Sequence, residues 1–114
     1  MICIYGIKQC DTCRKALRWL DDNNISYEWQ DVRVTPLHAD QIHEWTQSLD
    51  WTTLVNKRST TWRELDETAR ESLNETSVVD QLLATPTLIK RPVAVHDGGV
   101  TVGFSAKSYQ ALFA

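Results

Sequence analysis

A chain of 114 residues, of which 42% are hydrophobic and 24% charged, is long enough to form one globular domain with its own core. Its formal net charge of -3 provides no overall attraction to nucleic acid or to an anionic membrane, so direct binding to nucleic acid is not expected. No apolar segment approaches the ~20 residues of a membrane-spanning helix, and the apolar opening is shorter than a secretory signal, so we expect a cytoplasmic protein without membrane contact.

The first third of the chain is predicted to form a strand, a helix and a second strand. Residues 2–5 are a short, nearly continuous apolar run, which is typical of a strand buried on both faces. A helix is predicted from Asp11 to Asp22, because apolar residues recur there at positions i, i+3, i+4 and i+7. These residues are Cys13, Ala16, Leu17 and Leu20. Residues 26–32 form the second predicted strand, and this order favours two parallel strands joined by the helix.

The middle of the chain is predicted to be helical. Apolar residues at helical spacing indicate one helix over residues 39–49. A second helix is expected to begin near Thr61, because Thr61 and Glu64 have the spacing of a capping box. Residues 78–83 mark a third amphipathic helix, which Pro86 ends.

The last quarter of the chain is predicted to form a β-hairpin and a final helix. Strands over residues 92–96 and 100–103 flank an Asp-Gly-Gly turn, and residues 105–113 form the helix. Together with the opening elements, this order is that of a thioredoxin-like α/β fold with a mixed four-stranded sheet. We therefore expect residues 1–114 to form a single domain with a helical insertion at about residues 37–85.

Cys10 and Cys13 form a C-x-x-C motif where the first strand gives way to the predicted helix. The first turn of a helix leaves backbone N–H groups unpaired and carries a partial positive charge, and both stabilise a thiolate. The pKa of the Cys10 thiol should therefore lie below the ~8.5 of a free cysteine, which makes this sulfur nucleophilic near neutral pH. In a reducing compartment, such a motif within a strand–helix–strand unit indicates redox chemistry.

Other roles for the three cysteines remain open. Cys13 lies on the apolar face of the predicted helix, so it is either a core side chain or a resolving thiol that pairs with Cys10 on oxidation. Cys3 lies within the first strand and is expected to be structural. His38 and His43 could complete a zinc site with the motif, but the gap between the two pairs is longer than in a zinc finger, so no metal is predicted.

Arg58 and Arg91 are candidates for holding an anionic substrate beside a nucleophilic thiolate. Each follows a lysine in a segment that is predicted to be non-helical. Arg91 also precedes Pro92, and an X-Pro bond at the entry to a strand can be cis. A cis bond there would direct the Arg91 side chain toward the active site.

Four blocks of sequence carry a resemblance to a known family, and together they extend over essentially the whole chain. They are residues 5–16 with Trp19-Leu20, residues 56–63, residues 89–93 and residues 102–104. In this order they resemble the YffB-like subgroup of the ArsC/Spx family, which includes arsenate reductases. The resemblance implies a thioredoxin-like fold with a helical insertion and a cis peptide bond between Arg91 and Pro92.

The same resemblance implies a thiol-disulfide reductase in which Cys10 is the attacking thiol and Arg58 and Arg91 bind an oxyanion. Glutathione is the implied co-substrate, with glutaredoxin as a further partner, and no cofactor is expected to be bound. The candidate catalytic residues are Cys10, Cys13, Arg58 and Arg91. The candidates for binding substrate or glutathione are Lys8, Asp11, Thr12, Lys57 and Pro92.

Two positions depart from the arsenate reductases of this family. Their third oxyanion-binding arginine should fall near Phe104, and their histidine four residues before the cysteine is replaced by Gly6. Since one charged donor to an oxyanion is worth about 2–4 kcal/mol, efficient arsenate reduction is not predicted.

The C-x-x-C motif is also the arrangement found in Spx, and this leaves a second hypothesis open. On that hypothesis the chain is a redox-sensing transcriptional regulator that binds the α-subunit of RNA polymerase, and a Cys10–Cys13 disulfide is its switch. Residues 56–63 resemble YffB more than Spx, which favours the enzyme.

Overall fold

The computed structural model describes residues 2–114, which divide into two compact units. The chain up to Thr35 together with Arg91–Ala114 forms the first, here called the sheet unit, and Pro36–Lys90 forms the second, the helical unit. In chain order the elements are β1 (Cys3–Gly6), α1 (Asp11–Asp22), β2 (Glu28–Asp31), α2 (Ala39–Ser48), α3 (Trp51–Leu54), α4 (Thr60–Glu64), α5 (Glu67–Glu71), α6 (Ser77–Ala84), a 3-10 turn (Pro86–Leu88), β3 (Val93–His96), β4 (Gly99–Val102) and α7 (Ala106–Phe113). The organisation of the two units as a single domain stays a prediction.

The sheet unit has the predicted thioredoxin-like topology. Its four strands lie in the order β2-β1-β3-β4, with β1 parallel to β2 and the other neighbouring pairs antiparallel. Helix α1 connects the two parallel strands, as the strand–helix–strand order indicated, and its bounds agree with the prediction. The predicted fold class, a mixed four-stranded sheet with helices, is confirmed.

Strand β1 is buried on one face rather than on both, so that part of the sequence interpretation was wrong. Ile4 and Gly6 are buried, whereas Cys3 and Tyr5 are partly exposed. The buried face meets the apolar faces of α1 and α7, and these three elements with β3 form the core of the unit. The fully buried residues of this core are Ile4, Ala16, Leu20, Ala94 and Tyr109.

The helical unit has its own apolar core, supplied mainly by α2, α3, α6 and the 3-10 turn. Its most deeply buried side chains are Ile42, Leu54, Val78, Leu82 and Leu88. The Lys90 backbone N–H donates to the Leu54 carbonyl oxygen at 2.7 Å, and this hydrogen bond holds the last residue of the unit against the end of α3. Within residues 2–114 no helix is both long and apolar enough to cross a lipid bilayer.

The cap of α4 differs from the predicted capping box at Thr61 and Glu64. Ser59 is the N-cap residue, and its hydroxyl accepts the Trp62 backbone N–H at 3.1 Å. Thr61 lies inside the helix, where its hydroxyl shares a hydrogen bond with that of Thr87 at 3.0 Å. Serine and threonine occupy three successive positions here, and the capping role falls to the residue with extended backbone.

The hydroxyl of Tyr109 is buried in the core of the sheet unit. Its ring packs edge-on against Trp19, Phe104 and Phe113, with centroids 5.8, 4.7 and 5.1 Å away. Among residues 2–114 the hydroxyl oxygen finds no hydrogen-bond partner. A buried polar group without a bond destabilises the folded state by about 1–3 kcal/mol.

We therefore expect Tyr109→Phe to raise the free energy of unfolding, by about 1 kcal/mol in urea denaturation, since it keeps the ring and removes the hydroxyl. Tyr27→Phe is the matched control, because the Tyr27 hydroxyl donates to the Asp21 carboxylate at 3.0 Å. That variant should gain no stability. A loss of stability in Tyr109→Phe would show that this hydroxyl makes a favourable interaction in solution.

Candidate active site

Cys10 occupies the N-cap position of α1, at the end of the loop that follows β1. Its backbone N–H donates to the Ile7 carbonyl oxygen, and its own carbonyl oxygen accepts from the Arg14 N–H, both at 3.0 Å. These two bonds fix the residue at the start of the helix, beside the unpaired amides of the first turn. The side chain is partly exposed, so a substrate can reach the sulfur.

The pKa of the Cys10 thiol is lowered from its ordinary value. Burial is the largest single influence and opposes ionisation, but the backbone N–H and the thiol of Cys13 and the Arg91 guanidinium together outweigh it. The thiol makes no side-chain capping hydrogen bond of standard geometry, although the Cys13 amide still favours the thiolate. Three neighbouring groups thus favour the nucleophilic thiolate: the Cys13 backbone N–H, the Cys13 thiol and the Arg91 guanidinium.

The other two cysteines resist ionisation. Burial raises the pKa of the Cys13 thiol to about 12, and the neighbouring Cys10 sulfur adds to this through a hydrogen bond and its charge. Burial also raises the pKa of Cys3, which is partly exposed on β1 and donates to the Glu28 carboxylate at 3.8 Å. The three thiols are free, and Cys10 is the one that ionises most readily.

Cys13 belongs to the core of the sheet unit and also contacts the active sulfur. Only 1% of its surface is exposed, on the buried face of α1 that the periodicity predicted. Its thiol nevertheless donates a hydrogen bond to Cys10. The two sequence alternatives, a core side chain and a thiol within reach of Cys10, are therefore both compatible with its position.

Gly6 makes room for the Cys13 sulfur. A Cβ atom at this position would lie 2.5 Å from Cys13 Sγ and 3.0 Å from Cη2 of Trp29. Real side chains do not approach so closely, and both neighbours are held in the sheet unit. The glycine that replaces the expected histidine of the arsenate reductases is thus required by the cysteine at position 13.

We expect Gly6→Ala to lower the free energy of unfolding by about 1–3 kcal/mol, because the added methyl overpacks a filled site. Urea denaturation measures the loss. Gly98→Ala is the control at an exposed turn, where the nearest atom to an added Cβ is His96 Nδ1 at 3.2 Å. Equal stability of Gly6→Ala and the parent protein would contradict the close packing of Gly6 against Cys13.

The loop before Cys10 is held by a chain of hydrogen bonds. The Lys8 backbone N–H donates to the Asp31 carboxylate at 3.0 Å, and the Lys8 carbonyl oxygen accepts from Arg14 Nε at 3.0 Å. Arg14 also lies 3.6 Å from the Asp11 carboxylate. Lys8, Asp11 and the neighbouring Thr12 are exposed around Cys10, so these three predicted binding residues lie on the surface beside the thiol.

Arg91 and Pro92 also belong to the sheet unit. The peptide bond between them is cis, as predicted, and Pro92 is fully buried. The Arg91 guanidinium donates a hydrogen bond to the Cys10 sulfur and favours its charge. At Phe104, near which the family resemblance would expect a third arginine, the ring packs against Tyr109 in the core.

Lys57 and Arg58 lie in the helical unit, in the turn before α4, and both are exposed. The Arg58 backbone N–H donates to the Asn56 side-chain oxygen at 3.1 Å, and Lys57 Nζ lies 5.7 Å from the centre of the Trp62 ring. Their part in binding an anion stays a prediction. Within residues 2–114 no three His, Cys, Asp or Glu side chains group so as to hold a metal ion, and this includes His38 and His43, for which a zinc site was considered but not predicted.

The contact of Trp29 with Gly6, and the pocket that Trp29 forms with residues around the motif, were missed by the sequence interpretation. The sequence of a single β-strand does not reveal which element lies over it, so the position of Trp29 beside the motif was not predicted. The one available signal was the glycine immediately before the loop to Cys10, where a strand residue with a side chain would be ordinary.

Comparison with known proteins agrees with this arrangement. The ArsC family model matches residues 5–112. The chain belongs to the ArsC family. The solved structure of a YffB protein superposes with a TM-score of 0.94 at 36% identity, and each chain covers 100% of the other. The YffB-like and ArsC/Spx resemblance is thereby confirmed.

Two curated proteins are similar to this ArsC-family chain at different levels of sequence identity. An uncharacterised protein of Haemophilus influenzae is 49% identical over 114 residues, which are 100% of both chains. The global transcriptional regulator Spx of Listeria innocua is 27% identical over 107 residues, covering 92% of this chain and 81% of that protein. The relatives of this chain thus include a protein that is named as a transcriptional regulator.

Proposed function

We propose that this ArsC-family protein is a thiol-disulfide oxidoreductase that uses Cys10 as its nucleophile and glutathione as its co-substrate. One observation carries the proposal: of the three cysteines, only Cys10 combines a partly exposed side chain at a helix N-terminus with a lowered pKa. Arg91 would hold negative charge close to the reacting sulfur. Lys8, Asp11 and Thr12, which are exposed beside Cys10, and the buried Pro92 are kept as candidates for binding glutathione or substrate. Arg58 and Lys57 are kept as anion-binding candidates from the family resemblance.

The chemistry begins with thiol–disulfide exchange. The Cys10 thiolate attacks one sulfur of a disulfide substrate, the new S–S bond forms at Cys10, and the other sulfur leaves as a thiolate. A second thiol then attacks the mixed disulfide and returns Cys10 to the thiolate form. Glutathione or glutaredoxin would supply that second thiol in the cytoplasm. Deprotonated Cys13 would react differently: it would attack the Cys10 sulfur of the mixed disulfide, the substrate sulfur would leave as a thiolate, and a Cys10–Cys13 disulfide would remain.

Mass spectrometry after treatment of the reduced protein with glutathione disulfide tests this proposal. We expect one glutathione adduct, and peptide analysis should place it on Cys10. A Cys10–Cys13 disulfide would also support attack at Cys10 and would identify Cys13 as the resolving thiol. No modification of Cys10, or modification of Cys3 in preference to it, would contradict the proposal.

A redox-sensing regulator is the second candidate, supported by the similarity to Spx and by the hydrogen bond between the two motif thiols. On this account a Cys10–Cys13 disulfide changes the affinity for the α-subunit of RNA polymerase. Pull-down with the purified α-subunit should then depend on the redox state of the protein. Equal or absent binding in both states would eliminate this candidate.

A further inference from the structure

A pocket of about 480 Å³ opens beside the C-x-x-C motif, wholly within the sheet unit. Its lining residues are Ile7, Lys8, Cys13, Arg14, Leu17 and Trp29. This volume lies within the range of small-molecule binding sites in proteins, about 300–1,000 Å³. Among its lining residues, Lys8 is also a candidate for binding glutathione or substrate, but neither the proposed exchange at Cys10 nor the family comparison assigns a ligand to the pocket as a whole.

The walls of the pocket are apolar and its charged lining residues are cations. Ile7 and Cys13 are buried, and the partly exposed Leu17 and Trp29 present aliphatic and aromatic surface. Lys8 and Arg14 are exposed. An apolar site with a few polar groups at its edge is the usual form of a small-ligand pocket, and flat groups pack well on an indole ring.

The nearby carboxylates do not cancel this positive edge completely. Asp31 does not line the pocket, and its carboxylate accepts backbone N–H groups of Lys8 and Arg33 at 3.0 and 2.8 Å. Asp11 pairs with Arg14 at 3.6 Å, but the Arg14 side chain remains 59% exposed and can donate hydrogen bonds to a second carboxylate. Lys8 adds an ammonium group on the same edge.

The pocket is formed before any ligand arrives. Trp29 is paired with Ile4 in the β1–β2 register, and its ring lies so close to Gly6 that a Cβ there would be 3.0 Å away. The Lys8 loop is tied to Asp31, and Arg14 is tied to the Lys8 carbonyl oxygen. A wall that is already ordered loses little conformational entropy on binding, which favours affinity.

From these observations we propose that the pocket binds a small ligand with a flat apolar body and an acidic group. The body lies between Leu17 and Trp29 against the Cys13 side chain, and the acidic group meets Arg14 and Lys8. The inference is independent of the exchange reaction at Cys10, because it concerns binding alone. A ligand in this position would lie beside Cys13, the second cysteine of the motif.

Two-dimensional NMR of the reduced, ¹⁵N-labelled full chain tests the proposal with three probes. 2-Naphthoate has the body and the acidic group, 2-naphthylmethylammonium has the body with the opposite charge, and acetate has the acidic group alone. We expect saturable shifts of the Trp29 indole N–H and of the Cys13 amide with 2-naphthoate, and much weaker effects with the other two.

Two pairs of variants test whether 2-naphthoate binds in this pocket. Arg14→Ala should weaken 2-naphthoate binding about tenfold, since it removes a charged partner, whereas Lys15→Ala, an exposed neighbour outside the lining, should not. Leu17→Asp should weaken it at least as much, and Leu112→Asp, at an exposed leucine of α7, should not. Arg14 is exposed, so its variant remains informative if Leu17→Asp fails to fold.

Three results would overturn the proposal. The first is absence of any saturable shift at Trp29 with 2-naphthoate. The second is equal binding of the cationic probe, which would remove the role of Arg14 and Lys8. The third is an equal effect of Arg14→Ala and Lys15→Ala, which would place the probe elsewhere on the surface.

Discussion

Cys10→Ser is expected to abolish mixed-disulfide formation, lowering the rate of glutathione transfer at neutral pH by at least about a thousandfold. A serine hydroxyl does not ionise in this pH range and does not form the S–S bond that the exchange requires. The lowered pKa of Cys10 and its position at the N-terminus of α1 make it the one thiol poised for this reaction. Stopped-flow measurement with glutathione disulfide, followed by intact mass, reports the loss.

The other two cysteines provide matched controls for this substitution. Cys3→Ser should retain nearly the full rate, because Cys3 has a raised pKa and lies on β1. Cys13→Ser should still form the adduct at Cys10 while losing any internal disulfide. A Cys10→Ser protein that is folded and still acquires glutathione would refute the assignment of the nucleophile.

Arg91→Ala is expected to raise the pKa of Cys10 and to slow its alkylation at pH 7 by about tenfold. Its guanidinium donates a hydrogen bond to the sulfur and stabilises the negative charge, and a bond to a charged group contributes about 1.5–3 kcal/mol. The thiolate loses this stabilisation when the side chain is truncated, so a smaller fraction of Cys10 is ionised at neutral pH. The pH dependence of iodoacetamide labelling at Cys10 measures the change.

The controls for Arg91 separate charge from structure. Arg91→Lys keeps a cation near the sulfur and should restore part of the labelling rate, whereas Lys90→Ala, at the exposed preceding residue, should leave it unchanged. An unaltered pKa in a folded Arg91→Ala protein would remove Arg91 from the site. Circular dichroism and urea denaturation establish that the variant is folded.

Local pattern predicted most of the sheet unit. The apolar face of α1 is long and regular, so its bounds agreed with the structure, and the Asp-Gly-Gly turn located the β3–β4 hairpin. The sequence predicted the N-cap residue of α4 less well, because several neighbouring residues can cap a helix. Ser59, Thr60 and Thr61 are all capable caps, and backbone conformation in the folded chain decides among them.

The candidate site divides in the same way. The position of Cys10 at a helix N-terminus follows from a local motif. The cis Arg91-Pro92 bond was implied by the family resemblance, because an X-Pro dipeptide alone only permits it. The contact of Gly6 with Cys13 and Trp29 requires β1, α1 and β2 to be assembled, so the glycine itself is the one local hint of it. The burial of Cys13 was predicted from the helical periodicity of the apolar residues, but the hydrogen bond from its thiol to Cys10 was not.

The pH dependence of thiol alkylation, resolved by peptide mass spectrometry, tests the central claim most directly. The protein is labelled with iodoacetamide over a range of pH, and the modified fraction is followed separately at Cys3, Cys10 and Cys13. The account predicts that Cys10 reacts first, with a midpoint below the ~8.5 of a free cysteine, while Cys13 stays unmodified until far higher pH. A Cys10 midpoint at or above that value, or earlier labelling of Cys3, would contradict it.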